Sequence, residues 1–365
     1  MNKCIDGKRI LITGACGTVG AELVRQLLSD TRYQPEEVIG IDNNESELFF
    51  LDQRFLHDAR ANFFVGDIRD RDDLIRRMHG VDIVFHAAAL KHVILCERSP
   101  EQAVQTNIHG VQNVIAAAFE NKVEKVIFTS SDKAVNPTNV MGTSKLMGER
   151  LMTAANSHKR GEGPIFASTR FGNVLGSNGS VIPIFHNQIA KGGPVTLTDP
   201  EMTRFVMTIE EAVRLVIDSA ELAKGGEVFI TKMPVLRIED LAQSMIKTLA
   251  PKYGYDSNSV ETSVIGTKPG EKLYEELMSD EETRRSVELV QYFSVLPAFR
   301  GIYNQIDYSY SDIVTDEVDN PYISAKEPAM TPDEVSAFLE TGGLLESPED
   351  DAENRYWPGD KEAAQ

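Results

Sequence analysis

The chain has 365 residues, a hydrophobic content of 41% and a formal net charge of -19. This length and hydrophobic content allow one large or two ordinary globular domains, each with a full core. The negative charge repels nucleic acid and anionic membrane surfaces, which excludes both as partners. Part of the charge is local, because residues 326–365 hold 11 acidic and 3 basic side chains. We therefore expect a mildly acidic body and a strongly acidic C-terminal tail.

The cysteines and histidines predict no metal site and no disulfide. Cys4, Cys16 and Cys96 are scattered along the chain and match neither a metal-ligand spacing nor a disulfide framework. The seven histidines have no zinc-like partner spacing. The N-terminal residues contain no apolar secretion segment, and no apolar run approaches the roughly 18 residues of a membrane span. We expect a soluble cytoplasmic protein with free thiols.

The first half of the chain alternates apolar runs with helical patterns. The runs predict buried strands at 9–12, 38–42, 62–65, 81–85, 125–128 and 164–170. The runs end in small or polar residues, and helical patterns such as the one at 102–119 lie between them. This alternation is typical of an α/β fold with a Rossmann-type doubly wound parallel sheet.

Beyond Phe171 the alternation breaks and glycines become frequent, but a helix at 209–223 and a strand at 228–230 still fit a sheet domain. The sequence predicts a sheet domain at 1–172 plus about 204–233, a smaller lobe at about 173–203 and 234–300, and a C-terminal extension at 301–365. The extension is expected to contain one short helix, 332–340, followed by a mobile acidic end.

A Gly-rich turn follows the first strand and opens a helix. The segment from Gly14 to Gly20 has the pattern GxxGxxG, and Asp42 ends the next strand. This arrangement favours a dinucleotide, because the glycines let backbone amides approach the pyrophosphate and the helix N-terminus adds a partial positive charge. Asp42 would accept both ribose hydroxyls and repel a 2'-phosphate, which favours NAD over NADP. The alternatives are a plain tight turn and, for Asp42, a helix or turn cap.

The predicted NAD contacts from this part of the chain are Gly14, Cys16, Gly17, Thr18, Val19, Gly20, Asp42, Asp67 and Ile68. Asp67 and Ile68 follow the third strand and suit the adenine edge. A simple strand-end aspartate is the alternative there.

A polar segment follows the strand 125–128, where open α/β sheets place their chemistry. Its polar residues are Ser130, Ser131, Asp132 and Lys133, and a second part ends at Lys145. A nicotinamide-dependent short-chain dehydrogenase would place a tyrosine acid/base four residues before this last lysine, but the position holds Met141. A thioether cannot move a proton. Ser130 and Ser131 either bind substrate or cap a backbone turn, and Met141 either contacts the ligands or fills the core.

The chain contains, in order, TGACGTVG, GDIRD, HAAALKHV, TNIHGVQNVI, SSDKAVNPTNVMGTSK, RFGNVLGSNGSVIP, MTRF and KPGEKLYEEL. This order resembles the extended short-chain dehydrogenase/reductases, and most of all their UDP-N-acetylglucosamine 4,6-dehydratase branch from polysaccharide biosynthesis. The match covers about residues 1–280, and HAAALKHV and SSDK are specific to the branch. Many members carry an N-terminal membrane region, so this chain resembles a soluble form with Met141 in place of the active-site tyrosine.

The resemblance implies an NAD-dependent hydro-lyase for surface glycans. Such an enzyme moves a hydride from position 4 of UDP-N-acetylglucosamine to NAD, takes the proton from position 5, expels the 6-hydroxyl as water and returns the hydride to position 6. The product is a UDP-4-keto-6-deoxy-N-acetylhexosamine, with retention favoured over inversion at position 5. By resemblance, Lys133 is the base at position 5 and Asp132 the acid for the departing hydroxyl.

Two further roles are expected around the same ring. Asp132 would assist loss of the proton from the 4-hydroxyl, and Lys145 would hold the nicotinamide ribose. A lysine acts as a base only when burial or a neighbouring positive charge lowers its pKa, and Lys145 would supply such a charge for Lys133.

The resemblance also implies roles for residues outside the polar segment. Further NAD contacts are expected from Ala87, Ala88, Ala89 and Asn107, of which Asn107 would bond backbone and order water toward Lys145. Substrate contacts are expected from Lys91, Ser130, Asn173, Ser180, Val181, Arg204, Lys268 and Glu271. Arg204 and Lys268 would bind the diphosphate, although relatives often have arginine where Lys268 stands. For Lys91, a solvated loop charge is the alternative.

Two alternative functions stay open. A nucleotide-sugar epimerase would use the same cofactor, but it relies on the tyrosine that Met141 replaces and has no use for an Asp-Lys pair. A noncatalytic NAD-binding sensor or scaffold would tolerate the loss of the tyrosine without requiring Asp132, Lys133 and Lys145. We also expect a homo-oligomer, a dimer or higher, through helices at 102–119 and 144–157, although such faces can also pack on their own sheet.

Overall fold

The computed structural model describes residues 4–158, 163–176, 181–266, 272–299 and 306–345. The chain forms two compact units. The first unit comprises Met1–Phe171, Glu210–Lys232 and Glu276–Tyr322, and the second comprises Gly172–Ile209, Met233–Glu275 and Ile323–Gln365. The strands of the described residues are β1 Arg9–Thr13, β2 Glu37–Asp42, β3 Ala61–Val65, β4 Ile83–His86, β5 Lys125–Ser131, β6 Ile165–Phe171, β7 Asn173–Val174, β8 Val195–Leu197, β9 Thr203–Met207, β10 Val228–Thr231, β11 Val235–Arg237, β12 Thr262–Val264, β13 Ser286–Leu289, β14 Tyr292–Val295 and β15 Ile313–Thr315.

The α-helices of the same residues are α1 Thr18–Ser29, α2 Glu45–Arg54, α3 Arg71–Arg77, α4 Val93–Arg98, α5 Pro100–Ala103, α6 Gly110–Asn121, α7 Val140–Ala155, α8 Val181–Ala190, α9 Ile209–Leu222, α10 Ile238–Leu249, α11 Asp280–Thr283 and α12 Pro332–Thr341. A π-helical turn, Val104–His109, joins α5 to α6, and a short 3-10 turn, Asp132–Ala134, follows β5. No helix in these ranges combines the length and the apolar composition of a membrane span.

The first unit is built on a sheet whose described strands have the order β15-β13-β14-β10-β6-β5-β4-β1-β2-β3. Seven neighbouring strands of this sheet, β10-β6-β5-β4-β1-β2-β3, pair in parallel. The remaining strands, β14, β13 and β15, pair antiparallel. The order β3-β2-β1-β4-β5-β6 is that of the Rossmann fold, which confirms the predicted doubly wound parallel sheet. Except for β3, the parallel strands are rich in fully buried aliphatic residues, as in sheets that helices cover on both faces. The prediction of a buried strand at 62–65 is wrong for burial, because β3 lies at the edge of the sheet and its residues are partly or largely exposed.

The structure differs from the sequence analysis at the end of the predicted smaller lobe, 234–300. The hairpin of β13 and β14 lies in the first unit, because β14 pairs antiparallel with β10 and extends the sheet. The helix predicted at 144–157 begins earlier, at Val140, because the Asn139 side chain accepts from the Gly142 amide and caps α7.

The second unit contains a three-stranded sheet, β11-β9-β7, and a two-stranded sheet, β12-β8. Helices α8, α10 and α12 contribute to a single apolar core, with Ile182, Leu241, Met245, Val335 and Leu339 among its buried side chains. The helix predicted at 332–340 is present as α12 and starts with a capping box between Thr331 and Glu334.

Candidate active site

The Gly-rich turn lies directly against the loop after β4. Gly14 has a φ of +71°, and a Cβ on it would lie 2.7 Å from the backbone of Ala88. A Cβ on Gly20 would overlap the carbonyl oxygen of Gly14. Both glycines are therefore required where they stand. The turn and the Ala87–Ala89 segment, two sets of predicted NAD contacts, come together in this way.

The N-terminus of α1 is open to an anion. Its N-cap is Gly17, no side chain caps the helix, and the first turn, which holds Thr18, Val19 and Gly20, carries no acidic residue. The amides of this turn thus have no side-chain partner, as a pyrophosphate site requires. Burial, with a contribution from Asp42, raises the pKa of the Cys16 thiol to about 12, so the thiol is protonated at neutral pH.

Asp42 is fixed by the same turn. Its Oδ2 accepts from the Cys16 amide at 3.0 Å, and its Oδ1 accepts from the Asn44 amide at 2.9 Å. The carboxylate therefore performs the turn-capping role that was the alternative interpretation. Each oxygen has a second lone pair, so the same contacts also orient Asp42 for a ribose.

Asp67 and Ile68 are engaged within the protein. Both oxygens of Asp67 bind the Arg69 guanidinium, and this contact lowers the pKa of Asp67. The Ile68 side chain is buried in the core against Gly110, and its carbonyl accepts from the Asn113 amide group at 3.0 Å.

The candidate acid/base pair stands on the 3-10 turn after β5. Ser131 caps this turn, because its Oγ accepts from the Lys133 amide at 3.2 Å. The buried Asp132 carboxylate accepts from Lys133 Nζ at 3.0 Å through each of its oxygens. The Lys133 side chain remains 37% exposed. Ser130 Oγ is buried and has no hydrogen-bond partner among the described residues.

Met141 is part of the core. Its side chain is 4% exposed and lies in a small apolar cluster with Cys96, Ala103 and the partly buried Val93 and Val140. This position corresponds to the core-filling interpretation of Met141 rather than to a proton-transfer role.

Lys145 is buried on the next turn of α7. Its Nζ donates to the carbonyl oxygen of Thr129 at 2.9 Å and lies 4.6 Å from the centre of the Phe128 ring. Burial lowers the pKa of Lys145 to about 8, against the opposing charge of Glu149. Burial, aided by the charge of Lys145, also lowers the pKa of His86 to about 3, so this imidazole is neutral.

Asn107 connects the loop after β4 to α7. It lies in the π-helical turn, where its Oδ1 accepts from the Leu90 amide at 2.8 Å and its Nδ2 donates to the Leu90 carbonyl at 3.0 Å. The same Nδ2 donates to Ser144 Oγ at 2.9 Å. Asn107 thus positions backbone on one side and the helix of Lys145 on the other.

Sequence reasoning missed a buried ion network next to this site. Arg170 on β6 binds Glu149 of α7 at 2.6 Å and Glu282 of α11 at 3.2 Å. The three residues are far apart in the chain, and charge spacing alone does not predict their meeting. The signal was Arg170 itself, a charged residue at the end of an apolar strand.

The predicted substrate residues are distributed over both units. Lys91 is exposed on the loop after β4 of the first unit. Asn173, Val181 and Arg204 belong to the second unit, whereas Ser180, Lys268 and Glu271 lie outside the described residues.

In the second unit, Asn173 and Arg204 meet at Glu275, a carboxylate that the sequence analysis did not single out. Asn173 Nδ2 donates to Glu275 Oε1 at 2.6 Å, and Arg204 Nε lies 3.4 Å from the same oxygen. Arg204 also donates to the carbonyls of Lys272 and Thr203, each at 2.9 Å. A phosphate at Arg204 would have to replace some of these contacts.

The fold and the Gly-rich turn define a Rossmann-type α/β protein with the hydrogen-bonded residues Asp132 and Lys133 on the turn after β5. The chain belongs to the polysaccharide biosynthesis protein family, whose model matches residues 10–297.

The chain is similar to several proteins of this kind. It is 52% identical to a Methanocaldococcus jannaschii protein described as an uncharacterized membrane protein, over 80% of this chain and 86% of the relative. It is 38% identical to an inverting UDP-N-acetylglucosamine 4,6-dehydratase of Campylobacter jejuni, over 83% of this chain and 87% of that enzyme. It is 41% identical to a UDP-glucose 4-epimerase of Rickettsia felis, over 79% and 82% of the two chains.

Solved structures agree with the fold. The X-ray structure of Pen from Bacillus thuringiensis matches with a TM-score of 0.85 and 39% identity, over 94% of this chain and 99% of that one. A dTDP-glucose 4,6-dehydratase double mutant from Streptomyces venezuelae, crystallised with NAD bound, matches with a TM-score of 0.61 and 25% identity, over 73% and 86%.

Proposed function

We propose that this protein is an NAD-dependent UDP-N-acetylglucosamine 4,6-dehydratase, a hydro-lyase of surface-glycan biosynthesis. The observation that carries the proposal is the hydrogen-bonded pair of Asp132 and Lys133 on the turn after β5. An elimination needs an acid and a base beside the hydride acceptor, whereas hydride transfer alone does not need this pair. The similarity to the Campylobacter jejuni dehydratase supports dehydration of this sugar nucleotide, although that enzyme is an inverting one.

NAD is the cofactor of the proposed enzyme. Gly14 and Gly20 allow the tight turn before α1, the first turn of α1 offers uncapped amides to a pyrophosphate, and Asp42 is oriented by the turn. When bound, NAD would accept the hydride from position 4 and return it to position 6. The Streptomyces venezuelae neighbour, which carries NAD, supports this assignment.

Asp132 would carry one proton across the sugar. As a carboxylate it takes the proton of the 4-hydroxyl, directly or through a water, while the 4-hydrogen leaves as hydride. It then gives this proton to the departing 6-hydroxyl, which leaves as water. Asp132 ends the cycle as the carboxylate with which it began.

Lys133 would carry the other proton. Its ammonium must first lose a proton, and solvent can take it because the side chain is 37% exposed. Protonation of Asp132 favours this loss, because a neutral acid no longer stabilises the ammonium. The amine then removes the 5-proton and returns it to the same carbon after the hydride has reached position 6. A proton returned by the same group to the same face would give retention at position 5, whereas the Campylobacter jejuni relative is an inverting enzyme.

Lys145 and Met141 would support this chemistry from α7. Lys145 would hold the nicotinamide ribose from its place beside Thr129, and Met141 would pack the helix against Cys96 and Ala103. The contacts proposed for Lys91, Ser130, Asn173, Ser180, Val181, Arg204, Lys268 and Glu271 with the sugar nucleotide stay predictions, as does a homo-oligomer.

The alternative function is a nucleotide-sugar epimerase, which the similarity to the Rickettsia felis epimerase favours. Epimerisation would also use NAD, Lys145 and a base for the 4-hydroxyl such as Asp132, but it leaves Lys133, the base at position 5, without a role.

The test is to incubate purified protein with UDP-N-acetylglucosamine and to follow the product by mass spectrometry and NMR. Loss of one water supports the dehydratase, whereas an unchanged mass with an inverted centre supports the epimerase. NAD binding without turnover would identify a sensor or scaffold and overturn the proposal. Lys133→Met should abolish water loss, and Arg150→Ala, an exposed change on α7, is the matched control.

A further inference from the structure

In the buried ion network of the first unit, Arg170 binds Glu149 more closely than it binds Glu282. The Arg170 side chain is 1% exposed, and its Nε and Nη2 donate to the two oxygens of Glu149 at 3.0 and 2.6 Å. Its Nη1 donates to the Leu277 carbonyl at 2.7 Å, and both terminal nitrogens contact Glu282 at 3.2 Å. Arg170 therefore occupies both oxygens of Glu149 with a bidentate contact, the strongest form of such a pair.

This network borders the candidate active site. Arg170 is in register with Ser130 on the neighbouring strand β5, one residue before the cap of the catalytic turn. Glu149 follows Lys145 by four residues on α7, a spacing that places both side chains on one face of the helix. Arg170 thus reaches from the sheet to the carboxylate nearest to Lys145 along the helix.

Lys145 and Glu149 are a potential ion pair that does not form. In a buried environment an ammonium and a carboxylate one helical turn apart attract each other strongly. Lys145 Nζ instead donates to the Thr129 carbonyl at 2.9 Å, whereas the Glu149 carboxylate binds Arg170. Competition by Arg170 for the carboxylate explains this arrangement.

Other charged groups around Lys145 are already accounted for. Among the described side chains, His86 on β4 is neutral and bonded to Thr13, Asp132 and Lys133 bind each other, and Lys125 on β5 donates to the Ala220 carbonyl. On α4, Glu97 accepts from the Val140 amide and the Cys96 thiol donates to the Leu90 carbonyl, and in the π-helical turn His109 bonds Gln112. Arg98 on α4, Glu101 on α5 and Glu120 on α6 are exposed. Glu149 is therefore the carboxylate whose release would act on Lys145 most directly.

We propose that Arg170 is a positioning residue for Lys145: by binding both oxygens of Glu149 it keeps this carboxylate from pairing with the lysine, and so holds Lys145 Nζ on the Thr129 carbonyl. The inference rests on the proposed function for its catalytic consequence, because Lys145 is there assigned to the nicotinamide ribose. The contact of Lys145 Nζ with the Thr129 carbonyl, which the inference explains, can be tested without measuring turnover.

The test measures the Lys145 amine directly. Pulses of acetic anhydride across pH 6–11, with peptide mass spectrometry, give the midpoint at which each lysine becomes reactive. The exposed Lys252 is the internal reference. Arg170→Met should raise the Lys145 midpoint by at least one pH unit, because the freed carboxylate stabilises the ammonium. Glu149→Gln should lower the Lys145 midpoint. The double variant Arg170→Met/Glu149→Gln should not show the higher midpoint expected of Arg170→Met alone.

A matched control separates this role from general stabilisation of the fold. Glu282→Gln removes the other carboxylate of the network but leaves the pair of Arg170 and Glu149, so the Lys145 midpoint should stay unchanged. If Arg170→Met does not fold, Arg170→Lys replaces it, because one ammonium cannot bind both oxygens in the same way. A folded Arg170 variant with the wild-type midpoint, or a higher midpoint in Glu149→Gln, would overturn the proposal.

Turnover provides the second readout. Arg170→Lys should lower kcat for UDP-N-acetylglucosamine at least tenfold at pH 8 while KM changes less than threefold, and Glu149→Gln should restore part of this loss in the double variant. An equal loss of kcat in the single and double variants would contradict the inference. If the wild-type protein eliminates no water, the proposed function fails, but the acetylation midpoints still decide whether Arg170 controls Lys145.

Discussion

Gly142, in the first turn of α7, lies so close to the carbonyl oxygen of Lys133 that a Cβ would overlap it. Gly142→Ala should therefore displace the turn that carries Asp132 and Lys133. We expect turnover to fall at least tenfold and the free energy of unfolding to fall by about 1–3 kcal/mol, as for overpacked cores. Kinetics and urea denaturation check this. Met147→Ala, an exposed change on the same helix, should leave both unchanged.

Asp132→Asn tests the proton carrier. An amide keeps the shape of the side chain but cannot take the proton of the 4-hydroxyl, so turnover should fall by about 100-fold or more. The affinity for NAD, measured by titration calorimetry, should stay near that of the unchanged protein. Near-normal turnover of Asp132→Asn, together with loss of turnover in Met141→Ala, would contradict the proposed assignment.

Met141 should affect stability more than chemistry. Met141→Ala leaves a cavity between Cys96 and Ala103 and should cost about 2–4 kcal/mol of unfolding free energy. Met141→Leu nearly conserves volume and should cost less than about 1.5 kcal/mol. Both variants should retain turnover when assayed well below their melting temperatures. Loss of turnover in a stable Met141→Leu variant would assign the thioether a role at the ligands.

The stability of the protein should depend on Lys145 in alkaline solution. Burial lowers the pKa of Lys145 from 10.5 to about 8, with Glu149 opposing the shift. Between these values the folded state binds fewer protons than the unfolded state, so stability rises with pH across this window. The gain is at most about 3 kcal/mol at 1.36 kcal/mol per pKa unit. Urea denaturation from pH 7 to 11 should show that Lys145→Met lacks this rise and that the exposed Lys252→Met keeps it.

Asp42 should decide between the two nicotinamide cofactors. Its carboxylate is oriented by the amides of Cys16 and Asn44, and a negative charge there repels a 2'-phosphate. Asp42→Asn should weaken NADH binding by about tenfold, which corresponds to about 1.4 kcal/mol of binding free energy. The substitution should also reduce the ratio of the affinity for NADH to the affinity for NADPH. Fluorescence titration with both cofactors checks this. Asp72→Asn, an exposed change at the start of α3, is the control. An unchanged ratio of the NADH and NADPH affinities in Asp42→Asn would exclude a role of Asp42 in selecting the cofactor.

The sheet and most of its helices were predictable because they depend on local patterns. The parallel strands have apolar runs in the sequence, and the turn from Gly14 to Gly20 was predictable because it directly follows a strand and opens a helix. The short helix α12 was predicted at 332–340, and its apolar side chains Val335 and Leu339 are buried. In each case the residues that define the element are neighbours in the chain.

What the sequence did not predict depends on residues that are distant in the chain. Arg170 meets Glu149 and Glu282 only after β6, α7 and α11 have packed. The hairpin of β13 and β14 is short, and its place in the large sheet depends on pairing with β10, about 60 residues earlier. Glu275 lies within the run KPGEKLYEEL, but nothing in that run indicates that its carboxylate binds Asn173 and Arg204, which are distant in the chain.

The π-helical turn that holds Asn107 connects the loop after β4 to α7. This connection is sensitive to the insertion or deletion of a single residue in the turn. An α-helix rotates by about 100° per residue. The extra residue of a π-helical turn therefore changes the direction of the side chains that precede the turn relative to those that follow the turn. Deleting one residue between Val104 and His109 would let this stretch become an ordinary α-helix and turn Asn107 away from Leu90 or Ser144. The length of this segment is thus as constrained as the identity of its asparagine.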